Sequence, residues 1–158
     1  MPDIDASRPM RLTRSDAGEL LTLQRAAYVT EAQLYDTPFL PALTQTLDEL
    51  VAELEGPALG IRVQGRLVGA VRWTVHDGTA HIGRIVVAPD VQGRGLGTTL
   101  LRAAEHESGV ARSALFTGHL SAANLRLYER EGCRRVRIED VQPGVRLVHL
   151  AKQRDHVE

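Results

Sequence analysis

Two short stretches hold the residue types from which chemistry can be built. The first, "QGRGLG" at residues 92–97, follows the apolar run "IVVAP" and opens a segment whose Leu100, Leu101 and Ala104 recur at helical spacing. Glycines ahead of a helix form a nest of backbone N–H groups with no β-carbon in the way, where the helix dipole is positive. Such a loop can cradle a phosphate. The second stretch, "SAANLRLYEREG" at residues 121–132, puts Asn124 and Tyr128 four apart, on one face of a helix. A phenol with an ordinary pKa of about 10 stays protonated at neutral pH and can act as a proton donor.

Known phosphate loops narrow the first stretch. A P-loop needs a lysine followed by Ser or Thr, and the only lysine in the chain is Lys152. A dinucleotide fingerprint needs G-x-G-x-x-G and an acid closing the next strand. Here Gly93, Gly95 and Gly97 have G-x-G-x-G spacing, and the next strand-like run, "SALFT", ends without an acid. What remains is Gln92-x-x-Gly95-x-Gly97. Alone it could also be a plain strand-to-helix turn.

With both stretches in this order, the sequence resembles the GCN5-related N-acetyltransferase (GNAT) family. That family's acyl-CoA loop reads Q/R-x-x-G-x-G/A after such a strand, and its next segment carries an asparagine and a tyrosine on a helix ending in glycine. The resemblance covers about residues 59–135; the first 55 residues agree only in the order of elements. It implies acetyl-CoA as cosubstrate, with its pyrophosphate on the N–H groups of Gln92, Gly93, Arg94, Gly95, Leu96, Gly97 and Thr98. It implies that the strand at Ile85, Val86 and Val87 parts from its neighbour to pair with the pantetheine arm, one amide polarising the thioester carbonyl. Asn124 would bond the arm and Tyr128 would be the general acid. The base varies across the family; Glu31, His81 and His119 are candidates, and His119 is favoured because "TGHLSAAN" links the short strand to the cofactor helix. The implied activity is direct transfer of an acetyl group to a primary amine of a small molecule, peptide or protein. The alternative is a non-catalytic acyl-CoA-sensing module. A homodimer is implied only at the level of the family.

These groups need a scaffold. "MRLT" at 10–13 is expected to form a first strand, and Ser15 or Asp16 to cap a helix through Leu20, Leu23 and Ala27 that ends near Thr30. Residues 35–45, with two prolines, are expected to be a loop. Its neighbourhood, with Tyr28, Glu31, Leu34, Tyr35, Asp36 and Phe39, is the expected acceptor region. Thr46 and Glu49 form a capping box before a second helix. Strands at 59–63, 66–75 and 79–87 are joined by Gly-containing links, hence antiparallel hairpins. After the glycine-loop helix come the strand at 113–117, the Asn124/Tyr128 helix and two strands around Pro143-Gly144. The expected class is α/β (α+β), a mixed and mostly antiparallel sheet flanked by helices. Within that sheet Arg84 interrupts the apolar "HIGRIVV", either facing a cleft to bind a substrate carboxylate or pairing with an acid.

Composition bounds the rest. A chain of 158 residues suits one domain over 1–158, with 1–8 and 152–158 expected as flexible tails. A net charge of -1 with 43% hydrophobic residues argues against a nucleic-acid binder and against disorder. Cys133 is the only cysteine, which excludes an internal disulfide and a thiolate-rich metal site, so no metal is expected. It stands where the family often has an aromatic residue and is expected to be a small buried hydrophobe. No apolar run approaches the ~18 residues of a membrane span, and "MPDIDASRPM" lacks the basic start and apolar core of a leader. A cytoplasmic protein is expected.

Overall fold

Two tight turns set the register of the first half of the sheet. In the computed structural model, which describes residues 8–155, Gln64-Gly65 joins β2 (Ala58–Val63) to β3 (Arg66–His76), and Asp77-Gly78 joins β3 to β4 (Thr79–Val87). All four turn residues have positive φ, the signature of a type I′ turn, whose twist matches that of the flanking strands. Both pairs are antiparallel, and the edge strand β1 (Met10–Arg11) joins β2 on the far side.

The chain then changes direction. A 3-10 turn at Pro89–Val91 and the glycine loop lead into α4 (Leu96–Ser108), which crosses over to β5 (Arg112–Gly118), parallel to β4. After α5 (Ala122–Arg130) the chain closes with the hairpin β6 (Arg134–Gln142) and β7 (Val145–Gln153), giving seven strands in the order β1-β2-β3-β4-β5-β7-β6. Only the β4–β5 pair is parallel. This is the mixed, mostly antiparallel sheet expected from the sequence.

Helices cover both faces. A β-carbon on Gly69 would meet Leu100 of α4, whereas Arg72, three positions along β3, reaches Gln24 of α1 (Ala17–Tyr35). An odd separation along a strand means opposite faces, so α4 and α1 sandwich the sheet. Between them lie fully buried Leu20, Leu50, Ile61, Val71, Leu100 and Leu101.

Three expectations need correction. Helix α1 does not end near Thr30 but runs to Tyr35, because its last turns dock onto the turn between β5 and α5. The expected loop at 35–45 contains a one-turn helix, α2 (Pro41–Thr44), started by proline at its first position. The expected tail from residue 152 is sheet as far as Gln153, because buried Glu105 of α4 demands cations. Lys152 Nζ lies 3.1 Å from its Oε2, and Arg154 Nη2 donates to its carbonyl at 2.7 Å. The remainder of the expected tails, residues 1–7 and 156–158, lies outside the described residues.

A buried polar ring ties α1, α2, α3 (Leu47–Glu53) and β3 together. Gln24, fully buried, donates from Nε2 to the Ala42 carbonyl and to Gln45 Oε1, both at 2.9 Å, and accepts from Arg72 Nη2 at 3.0 Å. Gln45 donates to Glu53 Oε1 at 2.8 Å, and Glu53 Oε2 sits 2.9 Å from Arg72 Nε, closing the ring. Replacing Gln24 with leucine strands the Arg72 guanidinium and two acceptors in a dry core, each worth ~1–3 kcal/mol. Urea unfolding of Gln24→Leu should therefore show a loss of about 2–4 kcal/mol. An unchanged midpoint would mean that the ring contributes nothing to stability.

Candidate active site

The site begins where the sheet comes apart. Strands β4 and β5 pair only at Thr79/Arg112, Ala80/Ser113 and His81/Ala114, after which β4 continues through Val87 without a partner on that side. A β-bulge marks the parting. Arg72 pairs with Gly83 and Ala70 with Val86, so Val71 alone faces both Arg84 and Ile85. Arg84 carries the extra bend at φ 54°, a left-handed conformation that costs a non-glycine residue roughly 1–2 kcal/mol. Beyond it, Ile85, Val86 and Val87 offer backbone groups to whatever enters the gap.

At the mouth of the gap stands the glycine loop. Gly93 (φ 78°) and Gly95 (φ 81°) are left-handed, and open space lies where their side chains would be. Gly95 caps α4, whose first backbone bond runs from Thr99 N–H to the Gly95 carbonyl, so the N–H groups of Leu96, Gly97 and Thr98 have no partner within the helix. Gly97 instead makes room for a neighbouring helix, since a β-carbon there would press to 3.1 Å from Leu127 of α5. Arg94 and Gln92 are exposed, and Gln92 Nε2 donates to the Val87 carbonyl at 3.3 Å, linking loop to strand. The Asp90 carboxylate accepts two bonds of 2.7 Å from Arg66, which hold it down to about pKa 2 and pin the start of the loop to β3.

Helix α5 lines the other side. Asn124 donates to Thr117 Oγ1 of β5 at 3.2 Å, and one turn on the Tyr128 ring is buried. Burial, then the neighbouring Tyr28, Cys133 and Glu31, push the Tyr128 phenol above its ordinary value, so it stays protonated through the working pH range. Cys133 is buried too, its thiol pushed up to about 11 by desolvation, which rules it out as a thiolate nucleophile at neutral pH.

The last turns of α1 complete the constellation. Glu31 Oε2 accepts from Ser121 Oγ at 2.5 Å; Ser121 Oγ also meets the Tyr35 hydroxyl at 3.0 Å, and that hydroxyl accepts from Leu120 N–H at 2.9 Å. Gly118 is what lets Tyr35 in, because any β-carbon there would overlap its hydroxyl. Tyr28, half-buried, lies close to Arg84, whose charge acts on its phenol, and close enough to Tyr128 for the two phenols to influence each other. Gln24, Tyr28, Glu31 and Tyr35 thus form one stripe at spacings of 4, 3 and 4.

Of the three candidate bases, only Glu31 is brought toward Tyr128. Nδ1 of His119 lies 3.1 Å from the Arg146 N–H and 3.3 Å from the Arg146 carbonyl, so the β7 backbone engages that nitrogen in either tautomer. His81 lies exposed on β4 before the bulge, beside His76. Sequence reasoning missed Arg72, Ser121 in its role as a partner of Glu31, and the inward stripe on α1; the 4-3-4 spacing was the available signal. Among the described residues no three His, Cys, Asp or Glu side chains are grouped to hold a metal ion, and no helix is long and apolar enough to cross a membrane.

Comparison with known proteins agrees with this geometry. The chain is 27% identical over 141 residues to the UPF0157 protein YqkA of Bacillus subtilis (strain 168), an alignment covering 87% of this chain and 41% of that protein. The chain thus spans about two fifths of the length of that curated relative. Its fold is similar to the ribosomal-protein-S18-alanine N-acetyltransferase from Escherichia coli (TM-score 0.77, 18% identity, 96% of each chain). It is similar also to the PaiA N-acetyltransferase from Thermoplasma acidophilum in complex with coenzyme A (TM-score 0.76, 16% identity, 94% of this chain and 99% of that one). A family model described as the acetyltransferase (GNAT) family matches residues 20–133, well over half of the chain and both motifs within it. The chain therefore belongs to the GNAT family of acetyltransferases.

Proposed function

We propose that this chain is an N-acetyltransferase that moves an acetyl group from acetyl-CoA directly to a primary amine, acting as a single domain over residues 1–158. The observation that carries the reading is the parted edge of β4, with Tyr128 on its flank and the glycine-capped start of α4 at its mouth. The residues present suit acetyl-CoA. The free N–H groups of Leu96, Gly97 and Thr98, the left-handed Gly93 and Gly95, and exposed Arg94 fit a pyrophosphate. The open backbone of Ile85, Val86 and Val87, with Asn124 opposite, fits an extended amide-bearing arm. Its buried, free cysteine fits a reducing, cytoplasmic compartment.

When bound, acetyl-CoA supplies an activated acyl carbon and a thiol leaving group. The chain's own residues manage the protons. An amine is an ammonium at neutral pH and must lose a proton before its nitrogen can attack; Glu31 takes it, directly or through one water, with Ser121 orienting the carboxylate. Glu31 is preferred to His119 as the base, since Nδ1 of His119 is engaged by the Arg146 backbone while Glu31 acts on Tyr128. Tyr128 keeps a proton ready for the departing thiol, and the burial that raises its pKa ensures that it is there to give.

Calorimetry should show CoA binding to the wild-type chain. Gly95→Val should weaken it at least about tenfold, because a β-branched residue cannot hold φ 81° without strain. A wild-type chain that ignores CoA would overturn the reading. Tyr128→Phe should bind CoA normally yet lose about 10²–10⁴-fold in kcat on an amine panel followed by thiol release. Because the phenol is raised, wild-type kcat should not decline toward pH of about 10; a fully active Tyr128→Phe would refute its role as acid. Finally, Glu31→Gln should lower kcat/KM most where the amine is protonated, whereas His119→Gln should leave that pH profile in place. The reverse pattern would return the base to His119.

A further inference from the structure

On the α1 face of the sheet, next to the bulge, lies a cleft of about 310 Å³ lined by Glu53, Arg72, Trp73, Thr74, His81 and Arg84 among others. Its charges do not balance. Glu53 is already engaged: one carboxylate oxygen lies on Arg72 Nε at 2.9 Å and the other accepts from Gln45. Arg72, with a side chain 7% exposed, still has a buried Nη1 without any partner. Arg84 has no carboxylate within ion-pair distance among the described residues, and the group beside it on α1 is the neutral phenol of Tyr28. The cleft therefore carries one whole uncompensated guanidinium charge, with a second, under-satisfied one behind it.

The position of that charge is informative. This bulge holds one residue at positive φ, where glycine would sit without strain, yet that residue is Arg84 while its neighbour Gly83 lies outside that region. Strain of this kind persists where a side chain is used. Tyr28, beside Arg84, is three residues before Glu31 on α1, and i,i+3 neighbours have β-carbons about 5–6 Å apart. The α1 residue beside Arg84 is thus one helical turn from Glu31, an arrangement that suits a molecule bearing its acid and its amine within a few bonds of each other. The volume sits at the lower end of the range for small-molecule pockets, ~300–1,000 Å³.

We propose that the acceptor is a small amine that also carries a carboxylate, an amino acid or close analogue, and that Arg84 binds the carboxylate with Arg72 behind it while the amine points to Glu31. This rests on the acetyltransferase reading above for the fate of the amine, but the anion site can be tested without turnover. Occupancy of the cleft is read by calorimetry, which needs no turnover. Titrate leucine, phenylalanine and glutamate against their α-carboxamides, with CoA present, into wild type, Arg84→Gln and Arg84→Lys. Then measure thiol release from acetyl-CoA with the same pairs.

At least one free acid should give saturable binding about tenfold to hundredfold tighter than its amide. Arg84→Gln should erase that preference while leaving amide binding as it was, and Arg84→Lys should keep part of it, having the charge without the bidentate fork. In turnover the loss should appear in KM rather than kcat. Acid and amide binding alike, no saturable response to any acid, or equal damage to both by Arg84→Gln would overturn the anion site. If acids bind through Arg84 and no amine is acetylated, the site stands and the transfer reading fails.

Discussion

The structure turns on the refusal of two parallel strands to stay paired. β4 and β5 share three residue pairs and then separate, leaving the last six residues of β4 without a strand partner on that side. Unpaired backbone groups in a protein interior cost as much as lost hydrogen bonds, so such a gap survives only if the surroundings enforce it. Two features enforce it here. The bulge opposite Val71 adds a residue and a bend to β4, and β5 is held the other way by seven consecutive pairs to β7, from Arg112 to Gly118. Every element of the candidate site borders that opening: α4 at its mouth, α5 on the β5 side, α1 across the top.

Helix α1 is the part that must be held most firmly in place, since it bridges strands that do not touch. It is pinned at two points. Toward its middle, the ring of Gln24, Gln45, Glu53 and Arg72 locks it to β3; at its end, Glu31 and Tyr35 grip Ser121 and Leu120 beyond β5. Both anchors are polar and largely buried. Apolar packing would stabilise the helix as well, but it tolerates sliding, whereas a hydrogen-bonded ring has one register in which all its members are satisfied. Tyr28 lies between the anchors on the same stripe, and its place beside Arg84 follows from their spacing.

Much of this is legible in the sequence because it rests on local rules. Two-residue turns with glycine second dictate the hairpins, Thr46 and Glu49 form the capping box they spell, and the spacing of Gly93, Gly95 and Gly97 marks the start of α4. What escapes a sequence reading is decided by partners far along the chain. Nothing local says that Arg84 will adopt φ 54°, since arginine has no preference for that region; the bulge is imposed by the mismatch between β3 and β4. Helix α1 reads as ending near Thr30 because its apolar stripe fades there, while a second, polar stripe takes over and buries itself against β5–α5. His119 reads as the free base of the loop, yet the backbone of Arg146, 27 positions on, engages its Nδ1. Tertiary hydrogen bonds of this range leave no periodic trace.

The two faces of the opening also divide the labour. Along the β4 edge and the start of α4, recognition would fall to backbone groups, which are indifferent to side-chain replacement as long as Gly93 and Gly95 keep their φ. On the α1 face, the cleft is drawn by side chains, Arg72, His81 and Arg84 among them. A scaffold so arranged can keep its acyl donor while exchanging its acceptor, because the two sets of contacts share only the short stretch of β4 at the bulge. That stretch is also where the strain is stored. The bend that opens the sheet on the proposed donor side is the same bend that carries Arg84 on the proposed acceptor side, so a change at the bulge is felt on both faces, whereas a change at Gly95 is confined to one.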